Sequence, residues 1–428
     1  MSTQKILDNI TNSALRVQVF KSLKDLNGLM SKLNVSSDYK TQALIDSLTD
    51  QPLNLDVDEP VDPQTKIKKF LPKGHKSDQL KPSEQIKIYV DNVIKQYLTN
   101  DQINVDLVNM FLQQQSADNG RGLGIVLTPP YVSDLMAKLA KVDDTTTVLD
   151  PACGAGSLLT GAGHNKAKKL IGIEYQLKLS KLARSNLSNF SNSNTELIKG
   201  DCFEELKKIG KVDRAIVNPP YSYDEKGMPF IKAAIDHVKD GGYALAIIQE
   251  SSLINKAQKS LKEILSKATL LASISMPVSL FSPSVSVQTS IILFKVGKPH
   301  DFKTDKVKFI KVENDGYYRS KRGLTIKGRP DAIYSDIPLL VEYGKDAVKH
   351  SEFHKELWDF NSQFNEETID ESGTNLDFNS HYHPDLTPKE EDFMKVVGDY
   401  MEFELHQIFE EVKQEAHEKA QKQKEGSK

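Results

Sequence analysis

Asn218-Pro219-Pro220-Tyr221 sets a side-chain amide, two rigid imino acids and an aromatic ring directly after an apolar run, Arg214-Ala215-Ile216-Val217. This combination suits an amino group conjugated to a ring or a carbonyl, whose delocalised lone pair makes it a poor nucleophile. Two fixed acceptors, the Asn218 side-chain oxygen and the Pro219 carbonyl, can draw such a nitrogen toward tetrahedral geometry. The prolines fix φ and remove N–H donors, so the turn holds its carbonyls in one direction. Tyr221 offers a face on which an extruded base can stack. Four residues alone are also compatible with an ordinary turn at a strand end, so their weight comes from what precedes them.

Upstream stands Thr147-Val148-Leu149-Asp150-Pro151-Ala152-Cys153-Gly154-Ala155-Gly156-Ser157, a short apolar strand, a glycine turn and a helix start. Gly154 and Gly156 let the backbone approach a bound cofactor, and the helix N-terminus presents unpaired N–H groups. No Gly-Lys-Ser/Thr follows, so this is not a phosphate loop, and the glycine spacing is not that of a dinucleotide site. A second strand, Leu170 to Ile173, ends in Glu174, placed to accept both ribose hydroxyls of an adenosine. A third, Thr195 to Ile198, delivers Gly200-Asp201-Cys202-Phe203; Asp201 can accept from an adenine amine and Phe203 can flank its ring. Either carboxylate alone would read as a solvated strand end. Three strand-end features in this order describe a site for an adenosine-bearing cofactor.

These blocks resemble the class I S-adenosylmethionine-dependent methyltransferases, and within them the DNA adenine enzymes, in particular the modification subunit of type I restriction-modification systems. The resemblance runs from about Gly122 to Lys298. Gly124 to Met136, with Thr128-Pro129-Pro130-Tyr131 inside it, is similar to the family's Thr-Pro block ahead of a helix that packs over the methionine end of the cofactor. Phe230, the turn-strand Gly241 to Ile248, Met276 to Phe281 and Gln288 to Phe294 continue the likeness, the last two as the family's closing hairpin. It implies an α/β fold, a Rossmann-like doubly wound sheet, with S-adenosylmethionine as methyl donor. The donor would be held by Thr128, Pro129, Asp150, Pro151, Ala152, Gly154, Gly156, Ser157, Glu174, Asp201, Cys202, Phe203 and Asn218. Asn218, Pro219, Pro220 and Tyr221 would then direct the N6 amine of a flipped adenine in-line onto the methyl group. That reaction needs no covalent enzyme intermediate, and Cys153, lying in the cofactor turn, is not assigned as a nucleophile. Methylation of RNA or of a protein glutamine shares the Asn-Pro-Pro-Tyr chemistry, and a non-catalytic scaffold could keep the fold. The Thr128-Pro129 block, the closing hairpin and the long tail separate the chain from glutamine methylases, and the intact Asp150, Glu174, Asp201 and Asn218–Tyr221 argue against decay.

The elements that must carry these residues follow from periodicity. Residues 1–119 read as a mainly helical domain with linkers, 120–298 as the catalytic domain, 299–388 as a strand and loop extension and 389–428 as an amphipathic helix. Ile6, Ile10, Leu15, Val19, Leu23, Leu26, Met30 and Leu33 recur at helical spacing and break near Asn34-Val35-Ser36. Further helices are expected over Glu84 to Leu98 and Val105 to Gln115, then a strand over Val307 to Val312 with loops up to Pro388. The tail carries Phe393, Val396, Val397, Tyr400, Phe403, Leu405, Ile408, Phe409 and Val412. An apolar face of that length needs a partner surface; in the resembling family that surface is the helical spacer of a specificity subunit, while folding back on its own domain is the alternative.

Composition agrees with a globular enzyme: 428 residues, 38% hydrophobic, net charge −3. Near-neutral charge means that double-stranded DNA, the expected partner, must meet locally concentrated positive charge or a partner's. Arg319, Lys321, Arg322, Lys327 and Arg329 are one candidate patch; Lys66, Lys68, Lys69, Lys73 and Lys76 are a weaker one. The short stretch after the motifs points to a separate sequence-reading subunit, with a restriction subunit and a second copy of the chain as further partners. Two cysteines beside the cofactor turns fit a reducing cytoplasm. No apolar run of membrane-spanning length and no zinc spacing occurs, and His381-Tyr382-His383 reads as part of a polar loop.

Overall fold

Short β-branched runs ending in glycine or proline turns alternate with apolar-faced helices and build one nine-stranded sheet. The structure, a computed structural model, describes residues 3–48, 50, 52–57, 59, 68–71, 73–74, 79–97, 111, 114, 128–187, 194–254, 259–282, 285–320, 323–384 and 390–425. Two compact units emerge, residues 1–382 and 383–428.

The strands are β1 (Thr147–Asp150), β2 (Lys169–Glu174), β3 (Asn194–Lys199), β4 (Val212–Val217), β5 (Val238–Gln249), β6 (Ala268–Ser275), β7 (Thr289–Val296), β8 (Val307–Lys311) and β11 (Phe364–Glu367). Their spatial order is β11-β8-β6-β7-β5-β4-β1-β2-β3, and a separate antiparallel ribbon pairs β9 (Tyr317–Ser320) with β10 (Gly323–Ile326). β3, β2, β1, β4 and β5 run parallel, whereas β7 lies antiparallel between β5 and β6. Central strands buried on both faces should be continuously apolar, and Ala244 to Ile248 in β5 are all buried. Alternation then sorts side chains to two layers. Val148, Leu170, Ile216, Leu245 and Ile247 meet the helices Pro130–Leu139, Ser157–His164 and Pro330–Tyr343. Leu149, Ile171, Ala215, Val217 and Ala246 meet the helices Met228–Asp236 and Lys259–Leu265.

The strand expected over Val307 to Val312 is β8, which joins the main sheet by pairing parallel with β6, and β11 pairs antiparallel with β8. The expected loops from 312 to 388 also hold the β9–β10 ribbon and the helix Pro330–Tyr343. The place of β8 and β11 in the sheet rests on pairing between segments far apart in sequence, which leaves no local periodicity.

In the N-terminal region the helix Thr3–Lys32 stops where Asn34 takes a left-handed conformation (φ 58°) and the Val35 amide donates to the Met30 carbonyl at 3.0 Å. The helix Ser37–Leu48 follows, and Val19, Leu23, Leu26, Met30 and Leu33 pack with Leu44, Ile86 and Ile94 in a third core. The expected helix over Glu84 to Leu98 is seen as Pro82–Tyr89 continuing in other helical turns to Tyr97. Of Val105 to Gln115, only residues 111 and 114 are described, both helical. The tail is one helix, Glu390–Glu425. Phe393, Met394, Val396, Tyr400, Met401, Phe403, Leu405, Ile408, Phe409 and Val412 on it are each more than half exposed. At about 100° per residue they spread over roughly 240° of the circumference. Among the described residues no helix is long and apolar enough to cross a membrane.

Candidate active site

The carboxyl ends of β1, β2, β3 and β4 converge on a cavity of about 570 Å³. It sits where the strand order reverses between β1 and β4, the crevice in which open α/β sheets bind ligands. Thr128, Asp150, Pro151, Ala152, Gly154, Ser157, Glu174, Asp201, Cys202, Phe203 and all of Asn218, Pro219, Pro220 and Tyr221 line it. Two expected residues do not. The Pro129 carbonyl accepts from the Val132 and Ser133 amides at the start of the helix Pro130–Leu139, and Gly156 (φ 83°) stands at the N-cap of Ser157–His164. Tyr175, Gln176, Ser222 and Tyr223 also line the cavity. Sequence reasoning missed them because they occupy turns without a repeat; their only signal is adjacency to Glu174 and Tyr221.

The glycine turn is tied to the second strand. Gly154 (φ 54°) donates its amide to Glu174 Oε2 at 3.0 Å, and the Gln176 amide donates to Oε1 at 2.6 Å. A side chain at 154 would meet no neighbour but would be strained at that φ. Asp150 is buried and accepts from the Ala152 amide at 3.0 Å. Burial, reinforced by the Glu174 charge, pushes its carboxyl up to about 8. Burial also raises Glu174 and drives both thiols upward, Cys202 to about 12, so neither cysteine is a thiolate at neutral pH.

Across the cavity Asp201 accepts from the Phe203 amide at 2.9 Å and thereby caps the short helix Cys202–Glu205. Phe203 stacks near Tyr223 (centroids 5.9 Å) and Phe230 (5.0 Å), forming an aromatic wall. No Lys, Arg or His lines the cavity among the described residues, while three carboxylates do. This donor set repels a phosphate-bearing ligand and suits a cation carrying a nucleoside: acidic groups for ammonium or sulfonium charge and for ribose hydroxyls, aromatic rings for a base.

Asn218 follows the last residue of β4. Its Nδ2 donates to Thr128 Oγ1 at 3.1 Å. The Tyr221 hydroxyl donates to the Ile247 carbonyl at 3.2 Å, which ties the ring to β5, and burial pushes that hydroxyl well up. Downstream, Glu225 and Lys226 both adopt left-handed φ (47° and 52°). Glu225 accepts from the Lys259 and Ser260 amides, and Lys226 donates to Ser251 Oγ at 2.6 Å.

Other expectations change. Arg319 is not a free cation for DNA: it pairs with Asp315, the two side chains being 3% and 1% exposed, and donates to the Tyr131 hydroxyl. Arg329 pairs with Glu356, and Lys327 lies over the Tyr318 ring. Lys321 and Arg322 lie outside the described residues, as do Lys66 and Lys76. His381 is no loop residue. It is buried, stacks on Phe309 at 3.7 Å and bonds to Glu367 and the Asn375 carbonyl. Phe281, read as part of the closing hairpin, keeps that place and is buried in the core. Among the described residues no group of His, Cys, Asp and Glu is arranged to hold a metal.

Fold and cavity together have the Rossmann-like sheet and strand-end crevice of the class I methyltransferase fold. The family described as N-6 DNA Methylase matches residues 100–229 and 224–392, and the chain belongs to that family. The Type II restriction enzyme and methyltransferase RM.BcgI of Heyndrickxia coagulans is 29% identical over 322 residues, 67% of this chain and 47% of its own. The Type I restriction enzyme MjaVII methylase subunit of Methanocaldococcus jannaschii is 27% identical over 225 residues, 44% of this chain and 39% of its own. The chain thus spans less than half the length of these curated relatives. Among solved structures, the type I restriction-modification methyltransferase subunit from Streptococcus thermophilus superposes with a TM-score of 0.53 at 16% identity, covering 82% of this chain and 81% of its own, a likeness of fold.

Proposed function

We propose that this chain transfers a methyl group from S-adenosylmethionine to the N6 amine of a flipped adenine in double-stranded DNA, as the modification component of a restriction-modification system. The observation that carries the reading is the Asn218 amide. Its nitrogen is engaged by Thr128 at 3.1 Å, which leaves the oxygen as an acceptor at the edge of the donor cavity.

When bound, S-adenosylmethionine supplies an electrophilic methyl carbon on a sulfonium centre. Glu174 would accept from the ribose, Phe203 with Tyr223 and Phe230 would flank the base, and Asp201 would accept from the adenine amine. Asp150 stands ready to ionise toward the donor's positive charge. The Asn218 oxygen and the Pro219 carbonyl hold the two protons of the target amine, turning its lone pair out of conjugation and toward the methyl carbon. Tyr221, tethered to Ile247, gives the base a ring to stack on. One proton leaves to solvent after transfer. Catalysis on this reading is positioning and electrostatics.

Sequence reading is assigned to a separate specificity subunit seated on the helix Glu390–Glu425, whose apolar arc is wide enough to need more than one neighbouring helix. A restriction subunit would join the same assembly. The name of the related methylase subunit from Methanocaldococcus jannaschii supports a multi-subunit setting.

Methylome sequencing of cells with and without the gene tests the reading, and loss of N6-methyladenine at one motif is expected. Asn218→Ala should lower labelling of adenine by about 10²-fold or more while donor still binds. Undiminished labelling would sink it.

A further inference from the structure

Resting on the reading above, we infer that Thr128 is a positioning residue for methyl transfer: its hydroxyl anchors the nitrogen of the Asn218 amide and so holds that amide in place. Thr128 is 3% exposed, and its Oγ1 is 3.1 Å from Asn218 Nδ2. An asparagine amide has two faces of opposite character, an acceptor oxygen and a donor nitrogen. With the nitrogen on Thr128, the oxygen meets the incoming amine. The reverse orientation would set donor against donor at the amine and forfeit that contact. An isosteric apolar residue at 128 would take this acceptor from the part-buried nitrogen and free the amide to turn.

Thr128 can act in this way only if it is held still, and two contacts do so. The helix it precedes lies so close to Ser157–His164 that a Cβ at Gly161 would fall 2.4 Å from the Ser133 carbonyl. At the second residue of that helix, the Tyr131 hydroxyl accepts from Arg319 Nη2 at 2.8 Å, and Arg319 is locked to Asp315, which also accepts from the Tyr334 hydroxyl at 2.8 Å. The Tyr131 ring is packed by Tyr317 (4.5 Å) and Tyr334 (5.1 Å). A buried ion pair on the β9 ribbon thus supports the residue that orients the catalytic amide.

The test compares Thr128→Val and Thr128→Ser in the full-length chain purified with whatever natural partners accompany it. Thr128→Val should lower the methylation rate by about 10²-fold even at saturating S-adenosylmethionine, and Thr128→Ser should recover most of the rate. A Thr128→Val rate within about twofold of the unaltered protein overturns the inference, as does a loss confined to donor affinity or a failure of serine to rescue. Spectra of protein labelled with ¹⁵N-asparagine supply a readout independent of turnover. The Asn218 side-chain amide, assigned through its disappearance in Asn218→Ala, should shift in Thr128→Val and return in Thr128→Ser. If the unaltered protein binds donor but methylates no adenine, the functional reading fails, and the amide signal alone still decides: an unshifted resonance in Thr128→Val overturns the inference.

Discussion

Burial holds the Asp150 carboxyl near a pKa of about 8, far above the ordinary value of about 3.9. Because the folded state binds this proton more tightly than the unfolded chain does, the contribution to stability is full below about pH 4 and is lost as pH climbs through 8. The ligand-free protein should therefore melt progressively lower than its Asp150→Asn variant as pH rises from 6 to 8.5, and differential scanning calorimetry of the pair reads this directly. A cationic ligand reverses the preference by favouring the carboxylate. Donor binding at pH 7 should release a proton, so the heat of binding should change with the ionisation enthalpy of the buffer; equal heats in phosphate and Tris would contradict this. The gathering of Asp150, Glu174, Asp201 and Asn218 at one cavity was legible from their places at or just after strand ends. The protonation state of Asp150 was not, because it depends on burial that no spacing encodes.

Elements show a different division between what could and could not be read. β1 to β4 were legible because each is a short apolar run closed by a glycine, proline or acidic residue. The Thr128-Pro129 block was expected at the donor's methionine end, and the structure adds its bond to Asn218. Arg319 read as part of a basic surface because Lys321, Arg322 and Lys327 lie close in sequence; the counter-signal, Asp315 four residues before it, carried little weight without knowing that the ribbon is packed by three tyrosines. Removing one partner of a buried ion pair leaves the other charge unpaired, so Arg319→Ala should destabilise unit 1 by roughly 3–5 kcal/mol. Urea denaturation of the pair of proteins measures it, and a change under about 1 kcal/mol would mean that water satisfies Asp315. Gly161→Ala should overpack the junction of two helices, costing about 1–3 kcal/mol in the same assay. It should also slow adenine labelling more than it weakens donor binding, because the displaced helix carries Thr128.

At the level of the whole chain, the tail and unit 1 are separate compact bodies. A chain ending at residue 382 should keep its donor affinity within about twofold and lose association with the proposed specificity subunit; calorimetry and co-purification check the two halves of that expectation. The tail's apolar pattern was legible, whereas the incorporation of β8 and β11 into the main sheet was not, since strand pairing is decided by tertiary neighbours. That incorporation bears on how the protein can join larger particles. An open sheet ends in two margins whose backbone groups could template a foreign strand. Here β3, bearing Glu196 and Lys199, forms one margin, and β11, bearing Glu366 and Glu367, forms the other. Such ionic borders discourage uncontrolled lateral polymerisation, leaving side-chain packing between helices as the route open to the proposed partner subunits.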